Sequence, residues 1–84
     1  MSSIPTLFLE FRTKNGLTFR GVEERCGKII SASSWHEIEK GMWIPGVKVL
    51  TRFCAATGEI LSEYLVARER SKLLWKIVRE NEES

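Results

Sequence analysis

The residues with the most chemistry to offer lie together in Ser31-Ala-Ser-Ser-Trp-His-Glu-Ile-Glu-Lys-Gly41. His36 is the single histidine of the chain, and Glu37 beside it makes the only acid–base pair by sequence. Adjacent positions on a helix diverge, so these two do not form a catalytic couple. No serine/histidine/acid grouping and no pair of carboxylates on a hydrophobic wall is present. Gly16, Gly21 and Gly27 punctuate helices and do not form a phosphate-cradling loop. Cys26 and Cys54 lie in apolar surroundings without CxxC or Cys/His spacing, so zinc is not expected. They read as buried free thiols of a reducing compartment. The sequence therefore leads us to expect no enzyme activity, no metal, no cofactor and no small-molecule ligand. It offers hydrogen bonding instead: Ser33 can donate or accept, Glu37 can accept, and His36 can do either.

These side chains need a helix to align them. Ser31 is a good N-cap, because its hydroxyl can accept from an orphan amide, and Gly41 is a good C′ residue. Trp35 and Ile38 share one face and form a narrow apolar seam, leaving Ala32, Ser33, His36, Glu37 and Lys40 outward. Such a helix can lie on a globule and present its polar face to a groove. Before it, Thr18 caps a helix over Phe19 to Cys26, with Val22 and Cys26 inward, Phe19 joining them, and Gly27 as its stop. Gly21 within that helix costs about 1 kcal/mol against alanine, and its lack of a side chain is expected to let the next helix approach closely. The connection Gly27-Lys-Ile-Ile30 is short enough to make the two helices packed neighbours, a helix-turn-helix.

The other elements frame this pair. Ser3-Ile-Pro5 starts a first helix that carries Leu7, Phe8 and Phe11 and stops at Asn15-Gly16. The alternation in Leu7-Phe-Leu-Glu-Phe11 leaves a strand open there. A fourth helix, about Gly46 to Thr57, places Val47, Leu50, Phe53 and Cys54 on one face and stops at Gly58. The loop before it, Met42-Trp-Ile-Pro45, either caps the core or meets a partner. A last helix is expected from Leu61 to about Asn81, docking through Leu61, Tyr64 and Leu65. Its segment Leu73-Leu-Trp-Lys-Ile-Val78 is apolar nearly all round. It wraps back onto the first helix or meets a second subunit, and a strand paired across a dimer axis is the alternative. Trp43, Leu73, Leu74, Trp75, Ile77 and Val78 are thus the candidate dimer or partner contacts.

With 84 residues the chain reads as one domain over 1–84, with a core over 3–65 and the helix 61–81 as a candidate dimerisation element. Hydrophobic content of 43% supports a real core, and the net charge of +2 leans only mildly toward anionic partners. Without a signal peptide or an 18-residue apolar run, a soluble, intracellular protein with no membrane contact is expected.

The pattern Gly16-Leu17-Thr18, Val22-(x)3-Cys26-Gly27, Ser31-(x)3-Trp35-(x)2-Ile38-Glu39-Lys40-Gly41, Pro45, Leu50-(x)2-Phe53-Cys54-Ala55-Ala56-Thr57-Gly58 and Leu61-Ser62-Glu63-Tyr64-Leu65 resembles the Cro/C1-type (xenobiotic-response-element) helix-turn-helix family. The resemblance covers about Phe11 to Leu65 and implies an all-α, five-helix, lambda-repressor-like fold with an extended C-terminal helix. It implies a structural pair between Arg12 and Glu39. It places Ala32, Ser33, His36 and Glu37 toward DNA bases, with Ser34 at the edge. Lys28, Lys40, Lys48 and Arg20 ring that helix and are candidate phosphate contacts, while Glu23 and Glu24 are expected to point away from DNA. The chain departs from the family in a turn longer by Lys28 and Ile29, in Phe19 at a position usually held by a phosphate-contacting glutamine, in Gly21, and in Trp35 for a smaller aliphatic residue. The implied function is sequence-specific binding of double-stranded operator DNA. The implied protein is a transcriptional repressor of Cro or phage-immunity type, in the cytoplasm of a bacterial or phage-infected cell. As a homodimer it would set two recognition helices about 34 Å apart. The alternative is a protein-binding regulator, an antitoxin or anti-repressor, on the same scaffold.

Overall fold

Three hydroxyl side chains decide where the first three helices begin. Ser3 accepts from the Thr6 amide (3.4 Å), Thr18 from the Gly21 amide (3.0 Å) and Ser31 from the Ser34 amide (3.2 Å). Each satisfies an amide that has no partner within its own helix. The helices that follow are α1 (Ile4–Lys14), α2 (Phe19–Arg25) and α3 (Ala32–Glu39). They are succeeded by α4 (Val47–Thr57) and α5 (Leu61–Glu83). The computed structural model describes residues 2–83, with side chains described through residue 77 except at position 75. The chain is all-α, with five helices and no strand among the described residues. The stretches Leu7–Phe11 and Leu73–Val78, for which a strand is the alternative, lie inside α1 and α5.

The first three helices also end alike. The amides of Leu17, Lys28 and Met42 reach back to the carbonyls of Arg12 (2.9 Å), Glu23 (2.8 Å) and Glu37 (2.9 Å). This is the six-to-one bond of a Schellman stop. α2 is one residue shorter than expected, because Cys26 has left the helix as its C-cap. Gly21 does not serve an approaching helix. A side chain there would meet Leu17 and the Thr18 hydroxyl at 3.3 Å, so the position is constrained by the α2 entry and not by α3.

The core is a cluster of rings to which four of the helices contribute. Phe8 of α1 lies 4.6 Å from Trp35, 5.2 Å from Phe53 and 5.7 Å from Tyr64, measured between ring centroids. Phe11 adds contacts to Trp35 and Phe53. The tilted and edge-on arrangements are those the aromatic quadrupole favours. Val22 and Cys26 bring in α2, and Ile4, Ile30, Ile38, Leu50, Cys54 and Ala67 complete the buried set. Both cysteines are buried and unpaired with each other. Burial, reinforced by the nearby Glu59, pushes the Cys54 thiol up to about 11. The Tyr64 hydroxyl donates to Glu59 (3.0 Å), and its own pKa is driven up chiefly by burial.

α5 docks further along its length than its first turn. Tyr64, Ala67 and Ser71 form its inward stripe. Ser71 accepts from the amide of Ile4 at the start of α1 (3.0 Å) and donates to the Ala67 carbonyl (2.9 Å). Arg68 donates to the Pro45 carbonyl (3.0 Å), tying α5 to the loop before α4. Beyond this, Leu73, Leu74 and Ile77 are exposed and do not wrap back onto α1. The contacts expected of the Trp75 and Val78 side chains lie outside the described residues. No helix is long and apolar enough to cross a membrane among the described residues.

Candidate functional site

α3 is held from below and from one end. Below, Trp35 and Ile38 are fully buried in the ring cluster. At the end, Arg12 of α1 donates from Nε to Glu39 Oε2 (2.6 Å) and from Nη2 to Oε1 (2.9 Å). This two-pronged pair fixes orientation as well as distance. The remaining Nη1 donates to the Leu17 carbonyl (3.4 Å), and the guanidinium lies 4.4 Å over the ring of Phe19. One side chain therefore joins α1, the loop after it, α2 and the last turn of α3. The hydrogen bond to Glu39 raises the Arg12 pKa against the opposing effect of partial burial. Lysine would keep the charge but lose the fork and the flat stacking face. Arg12→Lys is expected to lower stability by about 1–2 kcal/mol, measured by urea unfolding. A loss below about 0.5 kcal/mol, the scale of an ordinary surface change, would show that α3 is anchored by its core seam alone.

The N-terminal end of α3 has two caps. Ser31 takes the Ser34 amide, and the carboxylate of Glu23 accepts from the Ala32 amide (2.9 Å). Glu23 thus faces the start of α3. The positive end of the helix draws the carboxylate in. The Ser31 hydroxyl also donates to Ser34 Oγ (3.0 Å) and stands 3.4 Å from Ser33 Oγ.

The outward residues divide accordingly. Ser33, His36 and Glu37 are exposed, while Ala32 and Ser34 are half-buried. Ser34 is engaged with the cap, and Ala32 is drawn toward Glu23 through its amide. His36 packs edge-on against Phe19 with centroids 4.9 Å apart, so one edge of the imidazole is seated while the residue stays exposed. Phe19 serves both Arg12 and His36. The spacing in α2 predicts Phe19 on its inner face, and the ring does pack against the core. The signal that could have found its second role was an aromatic ring at the start of α2 in a chain whose only histidine lies on α3.

Arg20, Lys28, Lys40 and Lys48 are exposed, and among the described residues none forms an ion pair. They stand in the first turn of α2, in the turn before α3, at the C-cap of α3 and in the first turn of α4. Lys28 is the only non-glycine residue with positive φ (63°) among the described residues, and it follows Gly27 at 67°. A side chain in this region costs about 1–2 kcal/mol, and glycine returns about 0.5–1 kcal/mol of that through unfolded-state entropy. Lys28→Gly is therefore expected to stabilise the domain by about 0.5–1 kcal/mol in urea unfolding. Destabilisation would mean that the lysine makes a compensating contact.

The loop after α3 is split. Trp43 and Ile44 pack against the core as half-buried residues, Pro45 is buried, and Met42 faces outward. Trp43 therefore has less surface for a partner than its sequence context suggested. Among the described residues, no group of three or more His, Cys, Asp or Glu side chains could hold a metal ion.

Comparison with protein-family models, curated proteins and solved structures finds no match to this chain. A functional reading therefore rests on these residues and their arrangement.

Proposed function

We propose that the chain is a sequence-specific DNA-binding transcriptional regulator of repressor type, with α3 entering the major groove. The observation that carries this reading is α3 itself. It is a helix fixed on its inner side by Trp35, Ile38 and the Arg12–Glu39 pair, with Ser33, His36 and Glu37 exposed along its outer side. A rigid helix with an exposed polar face suits base-edge readout. Ser33 can donate or accept, and Glu37 can accept from cytosine N4. Arg20, Lys28, Lys40 and Lys48, exposed in α2, in the turns at either end of α3 and in α4, would supply the sequence-independent attraction to phosphates. The Cro/C1-type resemblance supports the same assignment and adds the repressor role, a phage or prophage origin and a cytoplasmic setting.

The test is selection of bound duplexes from a random pool at low and at near-physiological salt. Enrichment of a defined site is expected, with affinity falling steeply as salt rises. No enrichment at either salt would favour the second reading, a protein-binding regulator such as an antitoxin or anti-repressor. The specific observation behind that alternative is apolar exposure outside α3, at Met42 just after it, at Val47, and at Leu73, Leu74 and Ile77.

A further inference from the structure

We propose that Phe19 is a positioning residue for recognition: its ring holds the imidazole of His36 in the orientation in which α3 presents it. This rests on the reading of α3 as the helix that enters the groove. Three observations lead there. The first is the seat of His36. The residue is exposed, yet its ring meets that of Phe19 at 75°, with centroids 4.9 Å apart. Among the described residues its side chain makes no hydrogen bond or ion pair, so the ring is placed by packing alone. Its nitrogens are left for a ligand, one as donor and one as acceptor when the imidazole is neutral. The other outward residues have no such seat. Ser33 has one long contact with the Ser31 hydroxyl (3.4 Å), and the Glu37 carboxylate is in no ion pair among the described residues.

The second observation is that Phe19 is itself held. It is the first residue of α2 and is half-buried against the core. Thr18 before it caps the helix through the Gly21 amide (3.0 Å). Leu17 is bonded to Arg12 twice: its amide donates to the Arg12 carbonyl (2.9 Å), and its carbonyl accepts from Arg12 Nη1 (3.4 Å). The same guanidinium lies 4.4 Å over the Phe19 ring.

The third observation is closure. Arg12 is forked onto Glu39, three residues after His36 on α3. Contacts therefore run from Glu39 to Arg12, from Arg12 to Phe19, and from Phe19 back to α3 at His36. A ring of contacts that leaves α3 and returns to it ties the imidazole to the helix that carries it. An exposed side chain loses rotamer freedom when a ligand captures it, and a ring seated beforehand has already lost it. For one side chain that difference is about threefold to tenfold in affinity. Leucine at position 19 would keep an apolar side chain and lose the aromatic ring that His36 and Arg12 share.

His36 is the single histidine, so the imidazole C–H signals of the full chain report on it alone. Proton NMR of the free protein is the first measurement. The ring current of Phe19 is expected to displace those signals from the positions of free histidine. Phe19→Leu should move them toward those positions, and Phe19→Tyr, which keeps the ring, should not. Signals unmoved by Phe19→Leu overturn the proposal. Binding to the selected duplex is the second measurement. Phe19→Leu should weaken it about threefold to tenfold in the wild-type background, and less than about twofold where His36→Ala is already present. Equal losses in both backgrounds would make Phe19 a support for α3 as a whole and overturn the proposal. Phe19→Tyr should bind as the wild type does. Circular dichroism confirms that each variant is folded. The two failures are distinguishable. If no duplex is selected, the reading of α3 falls and the role of Phe19 in recognition falls with it. If His36→Ala weakens binding to a selected duplex and Phe19→Leu does not, the reading of α3 stands and this proposal alone falls.

Discussion

Phe8→Ala is expected to lower the unfolding free energy by about 3–5 kcal/mol. Phe8 is fully buried and meets the rings of Trp35, Phe53 and Tyr64, so its removal leaves a void bounded by α1, α3, α4 and α5. Large rings on all sides cannot collapse into the space without leaving their own contacts, which puts the cost at the upper part of the range. A domain of this length has about 4–12 kcal/mol in total, so the variant approaches the edge of folding. Urea unfolding with an unchanged slope is the measurement, and a loss under about 1.5 kcal/mol, the scale of a tolerated volume-conserving swap, would contradict the packing described. Trp35→Phe makes an informative contrast. The indole Nε1 of Trp35 is buried with no hydrogen-bond partner, and leaving such a group unpaired costs about 1–3 kcal/mol. Removing it offsets much of the lost volume, so this exchange should be far milder than Phe8→Ala.

The second large effect is on recognition. With Ser33, His36 and Glu37 all replaced by alanine, preference for the selected site over random DNA should fall at least about a hundredfold, since a good base contact contributes about 1–3 kcal/mol. Residual binding should approach the non-specific level, about 10⁻⁴–10⁻⁶ M at physiological salt. Stability should change little, because all three side chains are exposed; His36 gives up the edge of Phe19 and Ser33 gives up one long, exposed hydroxyl contact with Ser31. Lys48→Ala separates the two components. It should weaken every sequence alike and reduce the salt slope by about one. Competition binding with matched and scrambled duplexes reads both. If the triple variant keeps its preference, α3 is not the reader.

What could be read from the sequence was whatever is decided within a few residues. Ser3, Thr18 and Ser31 each cap the amide three positions on, and those caps fix the starts of α1, α2 and α3. The Trp35 and Ile38 seam follows from helical periodicity, so the outward face of α3 was legible too. Family resemblance supplied the Arg12–Glu39 pairing, which joins residues far apart in the chain. What escaped were contacts set by how helices lie across one another. The charge of Glu23 does not reveal that the end of a neighbouring helix recruits it. Phe19 packs against the core as its spacing predicts, but spacing does not reveal that it also lies between a guanidinium and an imidazole from two other helices. Ser34 was placed at the edge of the readout face, where helical phase puts it. No periodicity argument reveals that its hydroxyl is engaged by Ser31.

The bond from the Ile4 amide to Ser71 makes two distant parts of the chain answer for one another. It joins the first residue of α1 to the middle of α5, and both groups are buried. Closing so long a loop costs chain entropy that a contact within one helix does not. If α5 lifts away there, the first amide of α1 is left without its partner, so loosening at one end of the chain is felt at the other.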